Sequence, residues 1–345
     1  MRNLTVKTTP KVVITQWVHQ EVVDYLSPHC ELALNMTRQT LAHAEVIQRT
    51  RDAQAIMVFM SDAVDENFLK TCPKLKVVGA ALKGYDNFDV VACTRNGVWF
   101  TIVPDLLTVP TAELTLGLLI AVARNMPSGD NLIRSGSFTG WRPTLYGAGL
   151  YQRVVGVIGM GNVGQAVAKR LLGFDTSVIY HDIQRLPQNK EAELRMTPVS
   201  LDALLRRSDF VLPTLPLTSC TKYLIHRGTI ATMKRGSYII NTGRGSVVDE
   251  CAVAEALESG HLAGYAADVF EMEDWARPDR PRHLPEKLLA LKDKTFFTPH
   301  LGSAVDEVRL EVAMEAARNI VQVLKGKRPQ GAINDPVTVT GPALG

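Results

Sequence analysis

At 345 residues the chain is long enough for two hydrophobic cores, and 46% hydrophobic with 21% charged residues is the balance of an ordinary globular protein. The formal charge of +3 is small and comes without a Lys/Arg block, so nothing points to nucleic acid or a membrane surface. A small molecule is the expected partner.

Five cysteines (Cys30, Cys72, Cys93, Cys220 and Cys251) are odd in number, scattered and without a C-x-x-C pair. That usage suits a reduced, cytoplasmic protein better than a disulfide framework. The first residues, MRNLTVKTTPK, contain no apolar core of a signal peptide. The longest apolar run, Leu114 to Ala123, is too short to span a bilayer and reads as a helix buried on all sides. The histidines form no H-E-x-x-H and do not cluster with cysteines, so no metal site is expected.

In chain order, VVIT at 12–15 reads as a strand, 20–26 as a helix and AIMVFM at 55–60 as a strand. Residues 65–71 form a short helix that stops before Pro73, and strands follow at 76–82 and 98–103. This alternation predicts a parallel-sheet α/β domain without a phosphate loop of its own. Pro104 and Pro110 bracket a crossing point, and Thr111 caps the apolar helix that runs to about Arg124. Residues 125–152, which include GWRPTLYGAG, read as a long loop, and structureless loops of that length tend to be functional.

Residues 153–182 then read as strand, turn, helix, strand. The β-branched run Val154, Val155, Val157, Ile158 is followed by Gly159, Gly161 and Gly164 in the spacing G-x-G-x-x-G. Gly159 allows a tight turn, Gly161 leaves room for a pyrophosphate, and Gly164 lets the next helix pack closely on its strand. The N-terminal N–H groups of that helix would face the phosphates. A second strand, 177–181, ends in Asp182, an acidic side chain placed to accept from an adenosine ribose and to repel a 2′-phosphate. NAD is the cofactor this predicts. Further strands with polar loops fall at 210–217, 237–245, 264–274 and 294–304, and a last helix from Ser303 to Lys325 has room to return to the first domain. The expected domains are therefore 1–106 with 306–345, and 107–305.

Ligands of open parallel sheets sit beyond the carboxyl ends of the strands, and Arg244, Glu273 and His300 fall just past such ends. A guanidinium suits a bidentate hold on an oxyanion, although an arginine in such a loop is more often a surface ion pair. Histidine titrates nearest neutrality and Glu273 is placed to orient it, with a helix cap or a satisfied core side chain as the plain alternatives for His300. Glu271 and Asp274 compete with Glu273 for the carboxylate role.

The motifs GMGNVG with Asp182, NTGRGSVVDE, DVFEMED and TPHLGSA, in that order, resemble the signature of the D-isomer-specific 2-hydroxyacid dehydrogenase family over nearly the whole chain. The resemblance implies two doubly wound, Rossmann-like or flavodoxin-like parallel-sheet domains with the active site in the cleft between them. It also implies NAD(P)-dependent hydride transfer, Arg244, Glu273 and His300 as the catalytic set, and a homodimer joined around the helix at 111–124. The cofactor set it implies is Gly159, Met160, Gly161, Asn162, Val163, Gly164, Asp182, Pro216, Thr242, Asp268 and His300.

Within that family, the ALKGYDNFD stretch with Lys83, the segment DVFEMEDWARPDRPR and the loop GWRPTLYG resemble the phosphite-oxidising members, the phosphite (phosphonate) dehydrogenases. Phosphite has a P–H bond and no carbon tail, so charge-assisted hydrogen bonds must hold it. The substrate set expected on this basis is Lys83, Arg244, Arg309 and Ser303, with Met60, Trp141 and Tyr146 closing the pocket; core packing is the plain alternative for the last three. A 2-hydroxyacid dehydrogenase using the same Arg, Glu and His is the nearest alternative. A nucleotide-sensing protein like the C-terminal-binding co-repressors is a more distant one, distinguished by binding dinucleotide without turnover.

Overall fold

The computed structural model describes residues 9–274 and 277–336. The chain divides into two compact units, Met1–Leu107 with Val305–Gly345, and Thr108–Ala304.

In the first unit, β1 (Lys11–Ile14), β2 (Glu31–Leu34), β3 (Ala55–Val58), β4 (Val77–Ala80) and β5 (Trp99–Thr101) form an all-parallel sheet in the order β2-β1-β3-β4-β5. This is the flavodoxin-like order. Strands β3 and β4 are buried along their whole length, which is why their sequences AIMV and VVGA do not alternate with polar residues. Ala55 and Met57 face one core with Val312, Ala316 and Ile320, whereas Ile56 and Val58 face a second with Phe68 and Leu69. The first of these cores requires the helix Asp306–Leu324. A Cβ at Gly79 would lie 2.7 Å from Ile320 Cγ1, so that helix reaches β4 only because the strand has no side chain there.

The second unit contains β6 (Val154–Ile158), β7 (Ser177–His181), β8 (Met196–Pro198), β9 (Phe210–Pro213), β10 (Ser237–Asn241), β11 (Leu262–Ala267) and β12 (Thr295–Phe297). They form a parallel sheet in the order β12-β11-β10-β9-β6-β7-β8. The strand order reverses where β6 lies between β7 and β9, and the crevice beyond β6 is therefore the expected ligand position. The helix Thr108–Ala123 packs Leu116, Leu119 and Val122 into the same core as Val155, Val157 and Leu171, but Val109, Glu113 and Gly117 are exposed along one side, so within this chain it is not buried on all sides as its composition suggested.

Three boundaries differ from the sequence reading. The apolar helix starts at Thr108 instead of Thr111, with Pro110 in the first turn, where a missing N–H costs nothing. The final helix starts at Asp306 and not at Ser303. Residues 125–152 are not one long loop, because Asn125 turns left-handed at φ 50° and Met126–Arg134 is a helix. Its Pro, Ser, Gly and Asp resemble a loop in composition, and Pro127 is tolerated in the first turn.

Candidate active site

β6 delivers the chain to Gly159, whose φ of +93° is a conformation that favours glycine. A Cβ at Gly164 would come within 2.3 Å of the Gly159 carbonyl oxygen, so glycine is what lets the helix Asn162–Leu171 start against the strand. That helix has Gly161 at its N-cap and no side chain capping it, and a Cβ on Gly161 would meet open space. Asp182 stands beside this turn at the end of β7, accepting the Met160 N–H at 2.5 Å and the Gln184 N–H at 3.0 Å. An uncapped, side-chain-free helix start next to a strand-end carboxylate fits the pyrophosphate and ribose of NAD. Met160 is buried and Val163 packs against the same core, so their side chains belong to the unit's interior.

His300 follows β12 in the loop 298–302. Asp268, at the end of β11 and 1% exposed, ties that loop down. Its Oδ1 accepts from Thr298 Oγ1 at 2.5 Å and from the Leu301 N–H at 2.7 Å, and its Oδ2 accepts from the Gly302 N–H at 2.8 Å. Burial raises the Asp268 pKa, while these donors act to lower it. His300 itself is held at φ +56°, an unusual backbone setting for a non-glycine residue and one that tends to occur at functional sites. Its Nδ1 lies 2.7 Å from Glu273 Oε2. Glu273 is fixed in turn, because its Oε1 accepts the Phe270 N–H at 2.9 Å at the start of the 3-10 turn Glu271–Glu273. Both side chains remain about one third exposed, at 30% and 27%. With Nδ1 engaged, Nε2 is the nitrogen left to exchange a proton with a substrate.

The two competing carboxylates are committed elsewhere. Glu271 accepts from Tyr223 Oη at 2.6 Å and from Arg277 Nη1 at 3.1 Å, and Asp274 accepts the Ser246 N–H at 2.6 Å. Arg244 lies just past β10, half-buried, with its Nη1 donating to the Gly243 carbonyl at 3.0 Å and its own carbonyl held by Asn241 Nδ2 at 3.0 Å. Thr242 Oγ1 is 2.8 Å from Thr115 Oγ1, and the Pro216 carbonyl accepts from Thr221 Oγ1 at 2.7 Å. Ser303 is half-buried at the end of the 298–302 loop.

Residues 116–302 match the model for the D-isomer specific 2-hydroxyacid dehydrogenase, NAD binding domain. The chain belongs to the D-isomer-specific 2-hydroxyacid dehydrogenase family. Among curated relatives, it is 34% identical to a glyoxylate reductase of Thermococcus litoralis, covering 96% of this chain and 99% of that one. It is 36% identical to a glyoxylate reductase of Aeropyrum pernix, covering 95% and 97%. Among solved structures, a Thermus thermophilus protein superposes with a TM-score of 0.85 at 35% identity over 94% of this chain and all of the other. The D-lactate dehydrogenase of Aquifex aeolicus, solved with NAD and lactic acid, superposes with a TM-score of 0.78 at 27% identity, covering 91% and 96%. The second unit is thus the NAD-binding domain of a member of the 2-hydroxyacid dehydrogenase family.

On the first unit of this dehydrogenase, three expected substrate residues gather past the carboxyl ends of β3 and β4. Met60 and Lys83 are half-buried there, and the Arg309 guanidinium lies 5.7 Å over the Phe59 ring. Burial lowers the Arg309 pKa from its ordinary value. Lys83 forms no ion pair among the described residues. Trp141 and Tyr146 are neither core residues nor enclosed within their unit, since they are 82% and 77% exposed. Among the described residues no cluster of three His, Cys, Asp or Glu side chains could hold a metal, and no helix is long and apolar enough to cross a membrane.

Sequence reasoning missed the buried polar network beneath the dyad, made of Tyr223, Ser246, Glu250, Glu271, Asp274 and Arg277. The signal was present in Asp274 and in the arginines that follow it, Arg277, Arg280 and Arg282. Trp275 and Ala276 of that segment lie outside the described residues.

Proposed function

We propose that this chain is an NAD-dependent dehydrogenase of a small oxyanion and that the oxyanion is phosphite, oxidised to phosphate with water as the nucleophile. The observation that carries the dehydrogenase reading is the chain of hydrogen bonds from the Phe270 N–H through Glu273 to His300 Nδ1. Bound NAD supplies the hydride acceptor. Gly159, Gly161, Gly164 and Asp182 hold its phosphates and ribose in this reading, with Thr242, Pro216 and Asp268 lining its site.

His300 takes the proton released as water adds to phosphorus, and Glu273 keeps its ring oriented and compensates the charge it gains. Arg244 holds the anion and stabilises charge as the transition state forms. Lys83 and Arg309 add positive charge, with Met60 and Ser303 beside them. Phosphite is favoured by Lys83, a second cation beyond the Arg244 common to the family, and by the resemblance of the 273–282 segment to the phosphite-oxidising members.

A second reading has its own support. The curated relatives matched over 95–96% of the chain are named glyoxylate reductases, so the comparisons taken alone favour a glyoxylate or 2-hydroxyacid substrate. The same His300 then exchanges its proton with a carbonyl or hydroxyl oxygen. The deciding experiment measures NADH formed from phosphite and NAD beside NADH consumed with glyoxylate and formed from glycerate and lactate. Efficient phosphite oxidation supports the first reading. Glyoxylate reduction without phosphite oxidation establishes the second, and dinucleotide binding without turnover would leave only a sensor. The cytoplasmic location and the homodimer remain part of this proposal, the latter supported by exposed Phe138, Trp141, Tyr146 and Tyr151 after the apolar helix.

A further inference from the structure

Two short segments carry the charged groups of the second unit's site, and they lie backbone against backbone. A Cβ on Gly245 would fall 1.9 Å from the Phe270 carbonyl carbon and 2.2 Å from the Glu271 nitrogen, so only glycine allows the loop 244–246 to rest on the turn 271–273. The contact is sealed by Asp274 Oδ2, which accepts from both the N–H and the Oγ of Ser246. Beneath it sits Arg277, whose side chain is 10% exposed. Its Nη1 donates to Ser246 Oγ at 2.6 Å and to Glu271 Oε2 at 3.1 Å, and its Nη2 donates to Tyr223 Oη at 3.1 Å. Asp279 accepts from Nε and Nη2, each at 3.2 Å, which orients the guanidinium from its outer side. Arg280 adds a second tie through Nε to the Met272 carbonyl at 3.0 Å.

We propose that Arg277 is a positioning residue: it sets the Arg244 loop and the Glu273 turn in one register, and so aligns the anion-holding arginine with the His300–Glu273 pair. Ser246 is two residues past Arg244 and Glu271 is two residues before Glu273, so a displacement of either partner moves a functional side chain directly. The planar fork is what the job needs. One guanidinium reaches a hydroxyl, a carboxylate and a phenol on three different segments, whereas an ammonium is a point charge that cannot span them. This inference rests on the reading of His300 and Glu273 as the proton-transfer pair.

Arg277→Lys is the test, because it retains the buried charge and removes the fork. Two measurements are made: steady-state kinetics with whichever of phosphite or glyoxylate the unaltered protein turns over, and the downfield proton resonance of the His300 Nδ1–H, identified by its disappearance in His300→Asn. The expected result is a fall in kcat/KM on the order of 10- to 100-fold, as for a small misplacement of reacting groups. NAD should bind with unchanged affinity, and the Nδ1–H resonance should broaden or vanish in folded protein. An unchanged kcat/KM per folded molecule with the resonance intact would overturn the proposal. Should Arg277→Lys fail to fold, Tyr223→Phe removes one arm of the same clamp and should move both readouts the same way by less; no change in either would equally overturn it. The resonance needs no substrate, so an unaltered protein that turns over neither substrate counts against the function proposed above and leaves this test in force.

Discussion

Glu250→Gln isolates a proton that the fold holds against its usual chemistry. Glu250 is 1% exposed and exchanges hydrogen bonds with Glu271, its Oε1 accepting the Glu271 N–H at 2.8 Å and its own N–H donating to Glu271 Oε1 at 3.2 Å. Burial, reinforced by the neighbouring carboxylates of Glu271, Asp274 and Glu273, pushes its pKa from 4.5 up to about 8. An unfolded chain releases this proton near pH 4.5, while the folded chain keeps it until about pH 8, so the folded state binds more protons across that window. The contribution to stability is complete below pH 4.5 and is lost progressively as pH rises toward 8.

Each pH unit in the window is worth about 1.4 kcal/mol, which sets a ceiling of roughly 5 kcal/mol by pH 8. Glutamine keeps the accepting Oε1 and has no proton to lose. Thermal unfolding of both proteins should therefore show little difference near pH 4.5 and a more stable variant at pH 8. At roughly 2–4 °C per kcal/mol for a unit of this size, even a fraction of the ceiling is measurable. An equal shift at both pH values, or none at pH 8, would refute the reasoning.

Three further outcomes concern the site. Asp182→Ala should raise kcat/KM with NADP relative to NAD, but only in part, because Arg185 is held by Glu191 in a bidentate pair at 2.9 Å on both sides; equal use of both cofactors by the unaltered protein would remove the role given to Asp182. His300→Ala should lose roughly 10²- to 10⁴-fold in kcat while NAD binding by fluorescence is retained, with a smaller loss for Glu273→Gln and an altered pH–rate profile; a Glu271→Gln variant that alone reproduced the profile change would show that the wrong carboxylate had been chosen. Lys83→Ala should raise the Michaelis constant for phosphite by about one to two powers of ten, the worth of one charge-assisted hydrogen bond, and leave NAD affinity nearly intact. An unchanged constant would take Lys83 out of the substrate site.

The parts of this protein legible in the sequence are those where one residue type satisfies one local demand. The run Val154–Ile158 and the glycines after it announce a buried strand and a side-chain-free turn, and Asp182 closes the unit at the end of β7. What stayed hidden depends on distant partners. Strand β2, ELAL, and strand β8, MTP, are too short and too weakly patterned to stand out without the neighbours that pair with them. Glu250 sits inside a motif quoted for its arginine, and its hydrogen-bond partner Glu271 stands twenty-one residues later. Nothing in the sequence singles out Arg277; its role depends on Tyr223, Ser246 and Glu271 being brought around it. The residues alone leave three candidates for the carboxylate, the family resemblance points to Glu273, and Glu273 is the one that joins the Phe270 N–H to His300.

The interrupted first unit bears on how the chain is made. Residues 108–304 are contiguous and can assemble as they emerge during synthesis, whereas the sheet made by β1–β5 waits for Val312, Ala316 and Ile320 to cover one of its faces. Until the helix Asp306–Leu324 has been made, Ile14, Met57 and the bare surface at Gly79 lack their covering. The nascent protein therefore carries an apolar sheet face while residues 108–304 are made, and truncation before Asp306 removes the lid of the unit built first.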